Sequence, residues 1–323
     1  MSLTRVAEAS DEEAIREAAG IIRRGGLVAF PTETVYGLGA DAVNALAVAR
    51  IFEVKARPRI DPVIIHVADP DSASIYGVFP KIAFRIMDKF WPGPLTLVVP
   101  KTNAVPPIVT AGLDTVAIRI PAHPAALALV KAAGCGIAAP SANPFGYVSP
   151  TEARHVSDQL GDKIDLILDG GPCVIGVEST ILSLANGVPR ILRTGGTSIE
   201  ELEAFLGEVD RSSGKTVRPR APGQLSRHYA TRTPLEISDE ASENLKAYER
   251  AGLLSFAPVT DPSRYAAIEV LSDSGNLREA AAHLFSALRR LDSQGLDKII
   301  ARPMSEAGLG AAIMDRLRRC SER

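Results

Sequence analysis

The residues from Lys55 to Arg59 read Lys-Ala-Arg-Pro-Arg and place three cations around a proline. Pro58 biases Arg57 away from the helical conformation and toward an extended one, in which residues i and i+2 share a face. We therefore expect Lys55, Arg57 and, with them, Arg59 to point in one direction and to form an anion site suited to a polyphosphate. A solvated basic turn after a helix C-terminus is the alternative that this segment leaves open.

A second proline-bounded segment carries a hydroxyl and a carboxamide. Ser141 and Asn143 stand two residues apart, after an apolar run and before Pro144. Because Pro144 holds the preceding residue extended, both side chains are expected to face one way, toward phosphate or ribose oxygens. An ordinary turn is the alternative, since serine and asparagine favour turns for their own reasons.

Polar residues inside apolar strand patterns form a third, scattered set. Arg119 interrupts an apolar run over residues 116–120, and a buried guanidinium needs a carboxylate or a phosphate as its partner. A ligand and a structural salt bridge are both open explanations. His66 also lies in an apolar strand, where a hydrogen-bonded core histidine is more common than a ligand-binding one. No cluster has metal-ligand spacing and no Ser-His-Asp arrangement is identifiable, so we predict no metal ligated by the protein.

Apolar runs and helical patterns must hold these residues in place. In the first 200 residues they alternate, but not strictly, so we expect a mixed α/β domain around a twisted sheet. The first helix is expected to begin with a capping box formed by Ser10 and Glu13. The other predicted helices cover residues 44–54, 81–90, 125–133 and 151–160, and the predicted strands cover residues 27–30, 63–67, 96–99, 116–120, 164–168 and 179–184.

The composition of the chain changes near residue 207. The stretch over residues 210–224 is rich in Arg, Ser, Gly and Pro, which is typical of a linker. Beyond it, strands at 253–256, 267–271 and 298–301 alternate with helices that begin at Asn276 and Gly310, as in a small doubly wound domain. We therefore predict three parts, which cover residues 1–207, 208–233 and 234–323.

Length, charge and cysteine content exclude several classes of protein. The 323 residues suffice for two domains, and 46% hydrophobic with 23% charged residues is ordinary globular usage. With 36 Lys and Arg against 38 Asp and Glu, the chain lacks the overall basic field that would attract nucleic acid. Three distant cysteines without a Cys-x-x-Cys pair exclude a disulfide framework and a cysteine-rich zinc site. We expect a cytoplasmic protein, because no signal peptide or membrane-spanning stretch is visible.

Several segments, taken in order, resemble the threonylcarbamoyl-AMP synthase family in its long form, which has an additional C-terminal domain. The resemblance covers about the first 200 residues and extends through a linker motif that ends at Tyr229 to a segment that begins at Gly308. Its main segments are Gly26-Leu-Val-Ala-Phe-Pro-Thr-Glu-Thr-Val-Tyr-Gly-Leu-Gly, Lys55-Ala-Arg57-Pro, Phe90-Trp-Pro-Gly-Pro-Leu-Thr, Thr110-Ala-Gly-Leu-Asp-Thr-Val-Ala-Ile-Arg-Ile-Pro, Ser141-Ala-Asn143, Ser149-Pro-Thr, Gly176-Val-Glu-Ser-Thr and Leu192-Arg193-x-Gly-Gly.

The resemblance implies a fold and an activity. The fold would be a YrdC-like mixed twisted sheet with flanking helices, plus a smaller Rossmann-like α/β C-terminal domain, with the linker folded over the active site. The activity would be condensation of L-threonine, bicarbonate and ATP, with Mg²⁺ bound to ATP, to threonylcarbamoyl-adenylate and pyrophosphate. The product would pass to the machinery that modifies tRNA beside the anticodon. No stable contact with nucleic acid or with a membrane is expected.

The resemblance also implies roles for individual residues. Four signature residues of the nucleotide site would form the catalytic set, namely Lys55, Arg57, Ser141 and Asn143. Further ATP-binding positions would be Asp61, Thr115, Ser149, Arg193 and Tyr229. Threonine would be held by Thr34, His66, Arg119 and Ser179, with the Arg119 guanidinium on its carboxylate.

Three positions depart from the family pattern. Asp61 replaces the more usual asparagine and places a carboxylate near the expected phosphates, where it would face magnesium or pair with Arg59. Thr194 and Thr231 stand where prolines are common.

Two other functions stay open. One is a carbamoyl-adenylate-forming enzyme that uses carbamoyl phosphate, and dependence on threonine separates it from the first reading. The other is a non-catalytic RNA-binding module, against which the balanced charge argues.

Overall fold

Residues 4–211, 219–224, 229–239 and 250–322 are described by a computed structural model of the chain. Residues 212–218 and 225–228 of the predicted linker lie outside the described residues, as do residues 240–249 of the predicted second domain. The described residues form a ten-stranded mixed sheet and a four-stranded parallel sheet, both flanked by helices. The predicted fold class, a mixed twisted sheet with a smaller Rossmann-like α/β unit, is confirmed.

The strands of the large sheet come from widely separated parts of the chain. Their order across the sheet is β1-β8-β2-β3-β7-β4-β6-β5-β9-β10, with parallel and antiparallel neighbours. They are β1 Val6–Glu8, β2 Val28–Phe30, β3 Gly37–Asp41, β4 Ile64–His66, β5 Leu95–Pro100, β6 Thr115–Arg119, β7 Ile137–Ala138, β8 Leu166–Asp169, β9 Thr180–Ser183 and β10 Arg190–Arg193.

The helices that flank this sheet are α1 Glu12–Arg23, α2 Ala45–Lys55, α3 Pro70–Ser74, α4 Lys81–Phe90, α5 Pro124–Ala133, α6 Ala153–Leu160 and α7 Ile199–Leu206. Helices α1, α2, α4, α5 and α6 begin close to the predicted positions, whereas α3 and α7 were not predicted. The predicted Ser10–Glu13 capping box is wrong, because Asp11 is the N-cap residue and its carboxylate accepts a hydrogen bond from the backbone N–H of Glu13. The aspartate stands one residue nearer the helix and satisfies its free N–H groups first.

Alternation along the strands decides which side chains face the core and which face outward. In β4 and β6, Ile65 and Ile118 enter the largest core cluster, which helix α4 covers. His66 and Arg119 therefore point to the opposite face, and they lie directly beside each other because β4 and β6 pair in parallel register. This second face carries the candidate site.

The small sheet follows in the last third of the chain. Its strands, β11 Leu235–Ile237, β12 Ala251–Ser255, β13 Ala267–Val270 and β14 Lys298–Ala301, run parallel in the order β11-β14-β12-β13. Helices α8 Leu277–Asp292 and α9 Gly310–Ser321 pack on it. Asn276 caps α8 as predicted, since its side chain accepts from the backbone N–H groups of Arg278 and Glu279.

The two sheets share a packed interface. Val148 and Val177 from the first part belong to one buried cluster with Leu284 and Leu288 of α8. At Gly176, where φ is +75°, an added Cβ would lie 2.3 Å from the carbonyl oxygen of Ala281. Helix α8 is therefore seated closely against the segment that leads into β9. None of the helices in the described part of the chain combines the length and apolar character that a membrane crossing requires.

Candidate active site

A cleft lies on the face of the large sheet that His66 and Arg119 share. Its walls come from the ends of several strands and from the linker. The lining residues are Thr32, Thr34, Val35, Gly37, Arg57, Ile64, His66, Arg119, Ala139, Pro140, Ser141, Glu178, Ser179, Arg193, Pro222 and Gly223.

Three arginines converge on this cleft, and all are almost fully buried. Arg57, Arg119 and Arg193 are 6%, 3% and 7% exposed. Burial lowers the pKa of both Arg57 and Arg193, because the charged guanidinium loses its hydration. Arginine nevertheless stays protonated in proteins, so the cleft is lined by fixed positive charge. Such a wall suits an anionic ligand with several oxygens.

Arg57 is held in place by a neighbouring turn. Its guanidinium donates to the carbonyl oxygens of Asp61 and Pro62 at 3.1 and 2.7 Å and forms a 2.9 Å ion pair with the Asp61 carboxylate. Arg59 is exposed, so the prediction that it joins Lys55 and Arg57 is wrong. The chain turns back after Pro58, where the carbonyl oxygen accepts from the N–H of Asp61, and the extended alternation ends there. Asp61 consequently pairs with Arg57 and not with Arg59.

Lys55 supports the serine segment from behind the cleft. Its side chain is 1% exposed, and its ammonium donates to the carbonyl oxygens of Ser141, at 2.6 Å, and of Asn143. Asn143 in turn donates from Nδ2 to the carbonyl oxygens of Pro144 and Tyr147. Ser141 lines the cleft, whereas Lys55 and Asn143 shape the loop that presents it. Burial, with Arg57 nearby, lowers the pKa of Lys55 well below its usual value.

Arg119 forms an ion pair with Glu33 and also lines the cleft. Its Nη1 donates to Thr34 Oγ1 at 2.9 Å, its Nε donates to the carbonyl oxygen of Gly93, and its Nη2 lies 2.6 Å from Glu33 Oε1. The structural salt bridge and the position on the ligand cleft, which the sequence left as alternatives, therefore occur together. These contacts use only part of the hydrogen-bonding capacity of Arg119, since a guanidinium carries five N–H donors.

His66 is a neutral imidazole on the floor of the cleft. Burial and the adjacent Arg119 charge lower its pKa to about 3. The ring packs edge-on against Phe30 at 5.9 Å between centroids. Within the described part of the chain, its Nδ1 has no hydrogen-bond partner. A buried ring nitrogen in this state can accept or donate one hydrogen bond to a polar ligand.

Arg193 connects the strand face to the linker. It donates from Nη2 to the carbonyl oxygen of Ser179 at 2.9 Å and to Ser179 Oγ at 3.2 Å, and from Nη1 to the carbonyl oxygen of Pro222. These hydrogen-bond partners are carbonyl and hydroxyl groups, which are neutral and do not balance the positive charge of Arg193. The Ser179 hydroxyl also contacts Thr96 Oγ1 at 2.7 Å, which fixes it beside Arg193.

Some of the residues implied by the family resemblance do not line the cleft. Thr115 begins β6, opposite Pro100, and is partly exposed. Ser149 is fully buried and donates to Glu178 Oε1 at 2.6 Å. Tyr229 is fully buried, with φ of +66°, and stacks on Phe285 of α8 at 5.5 Å between ring centroids. Together with Lys55, Asp61 and Asn143, these residues lie behind or beside the wall of the cleft.

Two carboxylates at or beside the cleft were not predicted as site residues, although both lie in segments that the sequence analysis identified. Glu33 stands between two threonines, and Glu178 directly precedes Ser179. A carboxylate inside an otherwise apolar or hydroxyl-rich run signals a buried ion pair. The partner of such a carboxylate, Arg119 for Glu33 and Arg316 for Glu178, is distant in sequence and cannot be read from the local pattern.

The two threonines at departures from the family pattern take part in backbone contacts. The carbonyl oxygen of Thr194 accepts a 2.8 Å hydrogen bond from Arg316 Nη2. Thr231 donates from Oγ1 to the carbonyl oxygen of Thr233 at 2.6 Å.

A mixed sheet, a cleft lined by three buried arginines and an adjoining set of hydroxyls define the chain as an α/β protein with a polar, arginine-lined cleft. A family model described as telomere recombination, covering Sua5, YciO and YrdC, matches residues 20–195. One described as the threonylcarbamoyl-AMP synthase C-terminal domain matches residues 197–321. The chain belongs to the threonylcarbamoyl-AMP synthase family.

Individual relatives agree with this assignment over almost the whole chain. The threonylcarbamoyl-AMP synthase of Pyrococcus abyssi is 44% identical over 99% of this chain and 97% of its own length. That of Bacillus subtilis is 44% identical over 95% of this chain and 93% of its own length. The crystal structure of P. abyssi Sua5 complexed with L-threonine superposes with a TM-score of 0.91 at 42% identity, covering 99% of this chain and 97% of that one.

Two buried neutral histidines predict a loss of stability in acid. Burial lowers the folded-state pKa of His66 and of His155 to about 3, below the unfolded value, so the unfolded chain binds more protons under pH 6.5. Stability present above that pH is lost as the pH falls toward 3. At pH 5 the loss is about 2 kcal/mol for each histidine, from proton linkage.

Denaturant unfolding at pH 8 and pH 5 measures this loss directly. His155→Gln, at a position outside the cleft, should remove about 2 kcal/mol of the pH dependence. Equal free energies of unfolding for the unmodified protein at the two pH values would contradict the prediction.

Proposed function

We propose that the chain is an L-threonylcarbamoyladenylate synthase, which condenses L-threonine, bicarbonate and ATP to threonylcarbamoyl-AMP and pyrophosphate. The observation that carries the proposal is the convergence of three buried arginines on one cleft beside Thr34, Ser179 and His66. Membership of the family, and a relative of the same fold crystallised with L-threonine, support it.

The nucleotide is assigned to the side of the cleft formed by Arg57, Arg193 and Ser141. The two guanidiniums carry the positive charge that phosphates require, and the Ser141 hydroxyl can donate to a phosphate or ribose oxygen. Lys55 and Asn143 act indirectly, through hydrogen bonds that hold the loop that presents Ser141. We keep Asp61, Thr115, Ser149 and Tyr229 as further nucleotide-site residues, with indirect roles, since they lie outside the wall of the cleft.

L-Threonine is assigned to the side formed by Arg119 and Thr34. A guanidinium binds a carboxylate through two N–H donors, and Arg119 is the arginine that the strand register places beside His66. The neutral His66 ring and the Ser179 hydroxyl are left to hydrogen-bond the amine or the side-chain hydroxyl of the substrate.

The chemistry requires positioning and charge neutralisation more than a protein nucleophile. The threonine nitrogen forms a bond to the carbon of bicarbonate, which loses hydroxide as water after proton transfer, and a carbamate results. A carbamate oxygen then forms a bond to the α-phosphorus of ATP while the bond to the bridging oxygen breaks and pyrophosphate leaves. Arg57 and Arg193 stabilise the developing negative charge, and a buried cleft keeps water from the labile carbamate. No general base is assigned.

Magnesium enters this proposal with ATP. Two carboxylates lie next to the nucleotide side of the cleft, and each forms an ion pair with an arginine: Asp61 with Arg57, and Glu178 with Arg316. Within the described residues, no group of three or more His, Cys, Asp or Glu side chains could hold a metal ion. This arrangement fits Mg²⁺ that is ligated by phosphates and water, as is usual for this ion. When bound, the ion would neutralise phosphate charge.

We also propose a domain organisation, a cellular location and a fate for the product. Residues 1–207 form the catalytic domain, the linker over 208–233 closes the cleft, and residues 234–323 form the C-terminal domain. Pro222 and Gly223 on the wall of the cleft support the role of the linker. The reaction would take place in the cytoplasm, with the product passed to the tRNA threonylcarbamoyl-transfer machinery and without stable binding of RNA by this chain.

Pyrophosphate release tests the function. With Mg²⁺ and ATP present, L-threonine and bicarbonate are each supplied or omitted, and release is expected only with both. Release with carbamoyl phosphate in place of threonine and bicarbonate would instead indicate the carbamoyl-adenylate activity. Absence of release from folded protein under every combination would overturn the assignment and favour the RNA-binding alternative.

A further inference from the structure

One arginine of the C-terminal helix reaches the wall of the cleft. Arg316 of α9 is 0% exposed, and its Nε donates to Glu178 Oε2 at 2.9 Å. Glu178 lines the cleft and precedes Ser179, which holds Arg193. The ion pair therefore joins the small domain to a carboxylate on the wall of the cleft.

The same guanidinium contacts two more segments around the cleft. Its Nη2 donates to the carbonyl oxygen of Thr194 at 2.8 Å, one residue beyond Arg193. Its central carbon lies 5.2 Å from the ring centroid of Tyr229 in the linker, on which it forms a cation–π contact. One side chain thus contacts the segment before β9, the segment after β10 and the linker.

The negative charge of Glu178 links its ion pair with Arg316 to the binding of an anionic ligand. A carboxylate on the wall repels the phosphates of a nucleotide, and repulsion is strong where water is excluded. Arg316 places a positive charge against one oxygen of this carboxylate, while Ser149 donates to the other. Arg316 also pairs with Asp315, whose carboxylate is in turn paired with Arg319, so that the two arginines together balance Glu178 and Asp315.

We infer that Arg316 is a positioning residue for the nucleotide site: acting through Glu178, it allows the C-terminal domain to complete a cleft that can accept the polyphosphate of ATP. The inference rests on the proposed function for the identity of the ligand. It assigns the small domain a direct electrostatic part in nucleotide binding, in addition to packing. Threonine, which carries no net charge at neutral pH, should depend far less on this pair.

The experiment compares Arg316→Met, the double variant Arg316→Met/Glu178→Gln and the control Arg318→Met. Arg318 lies two residues further along α9, is exposed and pairs with Glu306, so its loss tests helix α9 without touching the cleft. Binding of MgATP is measured by calorimetry without threonine, the KM values for ATP and threonine are measured by pyrophosphate release, and thermal unfolding monitors the fold.

We expect Arg316→Met to weaken ATP binding and raise the KM for ATP by at least about tenfold, as for a buried charge left unpaired. The KM for threonine should change less than about threefold, because a zwitterion feels little of the net charge. The double variant should regain most of the ATP affinity, since the repelling carboxylate is gone. Arg318→Met should match the unmodified protein.

Two outcomes would overturn the inference. One is an ATP affinity in Arg316→Met equal to that of the control. The other is a double variant as impaired as Arg316→Met, or unfolded, which would make Arg316 a purely structural contact. If Arg316→Met alone fails to fold, recovery of folding and ATP affinity in the double variant supports the inference. Failure of the unmodified protein to form the adenylate would refute the proposed function instead, and the calorimetric comparison would still test Arg316.

Discussion

Replacement of Arg57 by methionine should reduce threonine-dependent pyrophosphate release by at least about a hundredfold, the usual cost of removing one electrostatic group from a transition-state site. Arg57 and Ser141 both line the cleft, on the side that we assign to the nucleotide. Its aliphatic replacement fills a similar volume but offers no donor to the phosphates. The measurement is pyrophosphate release at saturating threonine and bicarbonate.

A second variant separates the loss of catalysis from a loss of stability. Arg57→Met alone leaves the Asp61 carboxylate buried without the partner it has at 2.9 Å, which destabilises a fold by about 3–5 kcal/mol. Arg57→Met/Asp61→Asn removes both charges and should fold while remaining inactive. Arg50→Met, an exposed position on α2, is the matched control and should stay active. Full activity of the folded double variant would refute the role of Arg57.

Replacement of Lys55 by methionine should impair both the fold and the reaction. The ammonium donates to two carbonyl oxygens, those of Ser141 and Asn143, and each charge-assisted hydrogen bond contributes about 1.5–3 kcal/mol. The loop would lose its attachment to the end of α2, so the Ser141 hydroxyl would no longer be fixed at the cleft. We expect the free energy of unfolding to fall by about 3 kcal/mol or more and release to fall at least about a hundredfold.

Lys163→Met is the control for this prediction, since Lys163 is exposed and distant from the loop. Denaturant unfolding and pyrophosphate release are measured on both variants. A fully stable Lys55→Met protein that has lost activity would show that Lys55 contacts the nucleotide directly, as the sequence pattern alone suggested. A stable and active variant would remove Lys55 from the site altogether.

The sequence predicted those features that depend on a few neighbouring residues. The proline after Arg57 correctly indicated that the helix ends before this residue, and the apolar run over residues 116–120 correctly indicated that Arg119 lies in a buried strand. The same local reasoning failed for Arg59, because the turn that closes at Asp61 interrupts the extended chain. It also failed for Ser10, where the competing Asp11 cap stands next to it.

Features that depend on distant parts of the chain could not be predicted. Lys55 carries the residue type of an anion site, yet its hydrogen-bond partners lie in a loop more than 80 residues away. Glu178 and Arg316 are further apart still, and nothing in either segment identifies the other. Pairing across such distances follows from the order of strands and the docking of helices, which local patterns do not specify.

The order of strands in the large sheet also affects how fast the protein folds. β2 lies between β8 and β3, and β4 lies between β7 and β6, so the central strands wait for partners that are synthesised much later. Chains dominated by such non-local pairings fold slowly, because long loops must close, at a cost in entropy, before the stabilising contacts form. The complete cleft requires Thr34, Arg119 and Arg193, which come from distant parts of the chain, to be brought together. The full substrate site therefore depends on the finished sheet, and bound ligand would favour the folded state by mass action.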